Sequence, residues 1–199
     1  MKYISYYIAL ILLLPVNGQA LTEQEFATKL MEMAKEKEPS NRLVLVQSIL
    51  KHADKYERFI VLPNAAKIAF EAQRYEVAEN YSKELLNEAA KYQDDWNYGN
   101  AIHDGNMVLG RLALRSGDTK LAAEYLLKAG NTPGSPQLNS FGPNMSLAKD
   151  LQDAGERDAV ISYFKLCKKF WKLEDGRLES WSASIRGGGK PYYGTNLHY

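Results

Sequence analysis

Cysteine is almost missing from this chain. The single residue, Cys167, excludes any intrachain disulfide and any cysteine-based zinc site. Neither sign of charge prevails: Lys and Arg number 25 against 24 Asp and Glu, so nothing global attracts nucleic acid or an acidic polymer. Sustained two-residue alternation is absent. The apolar runs Val44-Leu45-Val46 and Ile60-Val61-Leu62 are too short to argue for a sheet. Histidine is scarce, and no two of His52, His103 and His198 stand three or four apart, as a metal pair on one helix face would. The pair His103-Asp104 is adjacent, and neighbours on a helix point different ways, so both read as structural. Residues 186–190 (RGGGK) lack the strand before and the helix after that a phosphate-binding loop requires. No serine sits in a nucleophile elbow, and the acidic residues nearest helix starts are explained as caps. No catalytic residue, metal or cofactor is selected, and the chain reads as a non-enzyme.

What is present begins with an address. Residues 1–20 carry one charge, Lys2, then a mostly apolar run over 4–14. Pro15 and Gly18 follow, with small residues at −3 and −1 of a cleavage site after Ala20. This reads as a signal peptide of an exported, periplasmic protein; a secreted product, or an anchor left uncleaved, is the alternative. The run is short of the roughly 20 residues of a membrane span, so no integral span is expected after cleavage. The mature chain is neutral and long enough for one domain with a true core.

From residue 21 the periodicity is helical and the fold class is all-α. Thr22 and Glu25 form a capping box, and Phe26, Leu30, Met33 and Ala34 share one helix face. Pro39 ends that helix, and Ser40 or Asn41 caps the next. Pro63 suits the first turn of a third helix. A fourth starts near Tyr75. Asp94 or Asp95 caps a fifth, which runs to Ser116 before Gly117. Asp118 caps a sixth. Residues 131–143, with Pro133, Pro136 and Pro143, read as a stiff loop whose Leu138 and Phe141 pack under a neighbouring hairpin, the alternative being contact with a partner. Helices over 144–154, 157–171 and about 178–185 complete the body. Residues 187–199 are a glycine-rich linker and an aromatic, extended tail that folds back on the body, while Leu178, Trp181 and Ile185 cap the last hairpin. Cys167 falls on an apolar face and reads as a small buried hydrophobe. Lys168, Lys169 and Lys172 beside Phe170 and Trp171 read as solvated lysines at a helix end.

Self-comparison shows a repeat. Leu109-Gly110, Gly117-Asp118, Ala122, Tyr125 and Ala129 recur 38 residues later as Leu147-Ala148, Gly155-Glu156, Val160, Tyr163 and Cys167. A weaker copy, Ala66, Gln73-Arg74, Ala78, Tyr81 and Leu85, lies 44 residues upstream. A hairpin with one apolar face cannot bury it alone, so three hairpins, about 60–92, 103–130 and 142–172, stack. On these residues the chain resembles the tetratricopeptide repeat family. It departs in having Asn106 where an aromatic is expected, Thr119 where a tyrosine is, and inserts near 93–100 and in the 131–143 loop. The resemblance implies a right-handed superhelix over 21–186, its first helices lining a concave groove that binds a protein or peptide. The alternatives are a self-assembling, homo-oligomeric subunit and an unrecognised envelope enzyme. Aligned on the turns, Lys67, Arg111 and Lys149 stand six residues before each turn. They predict a row of cations along the groove, with Met107 and Met145 as its apolar floor, suited to an acidic peptide or a free carboxylate. The competing reading pairs Lys67 with Glu71 and Lys149 with Asp153 along one helix.

Overall fold

The computed structural model describes residues 21–197. The expected leader at 1–20, and His198 and Tyr199, lie outside the described residues. Within them the chain is helical, with no strand. The elements are α1 (Glu23–Lys35), α2 (Pro39–His52), α3 (Lys55–Glu71), α4 (Tyr75–Ala89), α5 (Tyr98–Arg115), α6 (Thr119–Gly130), α7 (Pro136–Ser140), α8 (Ser146–Asp153), α9 (Arg157–Cys167) and α10 (Arg177–Arg186), then a 3-10 turn over Gly194–Leu197. No helix among the described residues is long and apolar enough to cross a membrane.

Local chemistry explains most boundaries. The Thr22–Glu25 capping box opens α1 as expected, and Asp118 caps α6 by accepting from the Leu121 N–H. Several boundaries differ from the sequence reading: α9 ends at Cys167 and not Trp171, Ser40 and Asn41 lie inside α2, and the stretch read as loop over 131–143 holds the short α7. Pro39 does not end a segment but stands at the first position of α2, where its missing N–H is no loss. Pro63 lies inside α3, because a second capping box, Asp54 with Glu57, starts that helix two turns earlier. Neither Asp94 nor Asp95 caps α5, which begins at Tyr98; Asp95 instead accepts from the Asn97 N–H at 2.8 Å and from Tyr56 Oη at 2.9 Å.

Consecutive helices pack as neighbours: α1 on α2, α3 on α4, α5 on α6, α8 on α9. The three pairs α3–α4, α5–α6 and α8–α9 turn in the same way. Gln73, Gly117 and Gly155 have φ of 58°, 89° and 95°. The N–H that follows each reaches back to Ala69, Ala113 and Leu151, at 2.8, 3.0 and 2.9 Å. With the companion bonds to Phe70, Leu114 and Gln152, each turn is a Schellman motif. The repeat seen in the sequence is therefore a repeat of backbone conformation. The first helices also lie side by side, α3 against α5 and α5 against α8. The approach is close enough that a Cβ on Gly110 would stand 2.4 Å from Leu147 Cδ2.

Two larger cores result. One joins α1–α4 through Val46, Ile49, Val61 and Ile68; the other gathers α5, α6, α8, α9 and α10 around Met145, Tyr163, Phe164, Cys167 and Trp171. Burial in the second pushes the Cys167 thiol pKa far up. Helix α10 closes the end of this core with Leu178, Trp181 and Ile185, all buried. The tail returns over it: Tyr193 is buried and donates to Gln152 Oε1 at 3.0 Å, and the Met145 N–H donates to the Asn196 carbonyl at 2.7 Å.

Candidate functional site

The three aligned cations are spread along the first helices, and each is engaged. Lys67 Nζ lies 2.9 Å from Asp104 Oδ2 on α5, not on Glu71. Arg111 stacks over the Phe70 ring of α3, 5.0 Å from its centroid, donates to Ser146 Oγ of α8, and stands 3.9 Å from Asp150. Lys149 pairs with Asp153 at 2.9 Å, the local i,i+4 pairing. Lys67 and Arg111 thus rivet neighbouring first helices together. Met107 and Met145 are fully buried in the second core and cannot floor an open groove. The side chains of Lys67 and Arg111 face the neighbouring helix and are largely covered, whereas that of Lys149 is 47% exposed.

The open feature lies beside Lys67, where the two inserts meet the repeat. A cleft of about 430 Å³ is bounded by Ile60, Pro63, Asn64 and Lys67 of α3, and by Asn100, His103 and Asp104 of α5. Trp96 and Asn97 join it from the segment between α4 and α5; Gln137, Leu138, Phe141, Gly142 and Asn144 join it from the 131–145 segment. That segment is ordered by side-chain anchors. Thr132 Oγ1 donates to the Gly99 carbonyl at 2.8 Å, and Ser135 Oγ to Asn100 Oδ1 at 2.6 Å. Ser135 also caps the short helix α7. Of its two large apolar residues, Leu138 is buried as expected. Phe141 is 78% exposed, contrary to the expected packing, while the next residue, Gly142, seats its backbone against Trp171. Trp96 is also exposed, at 49%.

The floor is a polar chain. His103 is buried, with Nδ1 2.9 Å from Asp104 Oδ1 and Nε2 3.2 Å from Tyr163 Oη, and Tyr163 donates to the Asn144 carbonyl at 3.2 Å. Adjacency in sequence did not keep His103 and Asp104 apart, since the carboxylate swings back to the ring. A carboxylate only accepts, so Nδ1 carries the proton there. Burial opposes the Asp104 charge, but the Lys67 ammonium and the His103 hydrogen bond outweigh it and hold its pKa down to about 2. Asn100 Nδ2 donates to Asn97 Oδ1 at 3.0 Å and to Gln137 Oε1 at 3.3 Å. Asn97 is 5% exposed, and its Nδ2 has no partner among the described residues. No group of three or more His, Cys, Asp or Glu that could hold a metal occurs among those residues.

Of the lining residues, sequence reasoning had singled out Lys67 for a ligand and had weighed His103-Asp104. It missed Trp96, Asn97, Asn100 and Gln137, which carry no motif. The available signal was that both inserts into the repeat combine an aromatic residue with asparagine or glutamine. Compared with protein-family models, curated proteins and solved structures, the chain has no match.

Proposed function

We propose that this protein is a non-catalytic, exported binding module. It takes a protein or peptide partner through the face formed by α3, α5 and α8. The stacked hairpins make a tetratricopeptide-like superhelix, and residues 1–20 direct it out of the cytoplasm to the periplasm. The observation that carries the reading is the pair of exposed rings, Trp96 and Phe141, beside an open cleft, in a chain whose other tryptophans, Trp171 and Trp181, are buried. Exposed aromatics at a formed concavity are the usual anchors of recognition. The shared Schellman turns and the Lys67 and Arg111 rivets support a frame rigid enough to present them.

A photo-crosslinking residue at position 141, with position 44 on α2 as the control, tests the reading in the producing cell. An adduct with another protein at 141 and none at 44 is expected. No adduct at 141 overturns the reading, and an adduct of twice the chain mass replaces it with self-assembly. The amino-terminal sequence of the exported protein tests the address: a start at Leu21 is expected, and retention of residues 1–20 gives an anchored protein instead.

A further inference from the structure

We propose that the cleft between α3, α5 and the 131–145 segment binds a short, uncharged stretch of a partner peptide. It would read backbone carbonyl oxygens with its amides and hold one large apolar side chain at Trp96 and Phe141. This rests on the binding-module reading and names the chemistry of its ligand.

Charge is settled first. Lys67 is the one cation lining the cleft and Asp104 the one carboxylate, and the two are paired at 2.9 Å, with His103 on the second oxygen of Asp104. An acidic or basic ligand would have to break that pair. What remains is a set of primary amides, Asn64, Asn97, Asn100, Gln137 and Asn144, of which Asn144 Oδ1 accepts from the Ser146 N–H and Oγ. Their accounting is lopsided. Asn97 Oδ1 and Gln137 Oε1 already accept from Asn100, and Asn100 Oδ1 already accepts from Ser135. Each of these oxygens already has a partner, whereas Asn97 Nδ2 is a buried donor without one among the described residues. Such a donor is costly to leave unmet, and native structures meet nearly all of them. The missing group is a pure acceptor without charge, which describes a peptide carbonyl.

Extent follows from Arg111. It reaches from Phe70 of α3 to Ser146 and Asp150 of α8 and forms a bar across the face beyond Lys67. A peptide running the whole length of the face meets that bar, so the bound stretch is short: a turn or a few residues. Trp96 and Phe141, one from each insert, flank such a stretch with flat apolar surface.

The test is a selection of randomised nine-residue peptides, displayed on phage, on the purified protein. Affinities of a selected peptide are then measured by fluorescence anisotropy. The expected winners lack net charge and share one aromatic or large aliphatic residue. Asn97→Asp replaces the lone donor by an acceptor of the same shape and keeps the oxygen that accepts from Asn100. It is expected to lower affinity more than tenfold and, as a buried carboxylate, to lower the melting temperature. Asn97→Ala, which removes the donor without adding a charge, is expected to lower affinity more than tenfold in a chain that still unfolds cooperatively. Trp96→Ala and Phe141→Ala are expected to lower it several-fold, and Lys165→Ala, on the exposed side of α9, not at all. Winners that depend on Asp or Glu, or affinities indifferent to Asn97→Asp and Trp96→Ala, overturn this inference and leave the binding module standing with its site elsewhere. No enriched peptide together with binding on a glycan array overturns the inference, and no crosslinked protein at position 141 overturns the module itself.

Discussion

The hairpins and the segments that interrupt them use similar residues in opposite ways. In the hairpins and their cap, Tyr163, Phe164, Trp171 and Trp181 are buried together; in the interruptions, Trp96 and Phe141 face solvent. Polar side chains divide likewise. Within helices the small uncharged ones bond their own backbone, Ser82 to the Ala78 carbonyl, Asn106 to Ile102, Ser182 to Leu178, while Lys67 and Arg111 tie one first helix to the next. In the interruptions Ser135, Asn100 and Gln137 bond one another across 35 and 37 residues of chain. The repeats build a frame by local rules, and the inserts spend polar and aromatic groups on a shared concavity that the frame holds still.

The largest effect is expected where the frame ends. Trp181 packs on Phe164, Trp171 and Tyr193, so Trp181→Ala should cost about 3–5 kcal/mol of stability, read by denaturant unfolding. A loss under about 1 kcal/mol would mean that α10 is an appendage and not the lid of the second core. Next comes the seam between frame and insert. A Cβ at Gly99 would lie 1.7 Å from the Gly134 carbonyl oxygen, and backbone on both sides leaves nothing flexible to yield. Gly99→Ala should cost about 3 kcal/mol and speed hydrogen exchange across 131–143. Unchanged protection there would show that the insert holds its shape without the seam.

The comparison also has a pH axis. Asp104 binds its proton only near pH 2 in the folded chain, against an ordinary value of 3.8. A depressed carboxylate stabilises the fold above its unfolded pKa, and that share is lost as pH falls through the folded one. The stability gap between the wild type and Asp104→Asn should therefore narrow by about 2 kcal/mol between pH 5 and pH 2. A gap that stays constant over that range would place the Lys67–Asp104 pair outside the stability of the frame.

How legible this was in the sequence follows the same division. The helices, the repeat and the burial of Cys167 could be read because they rest on periodicity and turn residues within one segment. Boundaries failed where a stronger local signal lay next door, as the Asp54–Glu57 box did for Pro63 in α3. The cations were found in register, but their partners Asp104, Ser146 and Asp150 lie 35 to 39 residues away, beyond what a periodic pattern shows. The cleft was invisible for a related reason. Its amides act only once two inserts, each read as loop, are folded against α5.

A smaller effect concerns the turns. Gln73 occupies the left-handed position that Gly117 and Gly155 hold in the other hairpins. A residue with a Cβ is strained there by about 1 kcal/mol or more, while glycine adds some unfolded-state entropy. Gln73→Gly should stabilise the chain by about 0.5–1 kcal/mol, and Gly117→Ala, whose Cβ would meet nothing, should cost about 1 kcal/mol. A loss on Gln73→Gly would show that its side chain has a role that the turn does not explain.

The smallest effect on stability should come from the residue expected to matter most for binding. Trp96 is half exposed, and its segment is pinned without the ring: Tyr56 donates to one oxygen of Asp95 and the Asn97 N–H to the other. Truncating the indole therefore removes little packing and one hydrogen bond, to a Tyr56 that Asp95 also holds. Trp96→Ala should shift stability by no more than about 0.5 kcal/mol, the range of ordinary surface substitutions, against the several kcal/mol expected at Trp181. Equal losses at the two tryptophans would erase the contrast between frame and insert, since Trp96 would then belong to the core. A neutral Trp96→Ala in denaturant unfolding, together with a lost crosslink at position 141, would put that ring in the service of a partner and not of the fold.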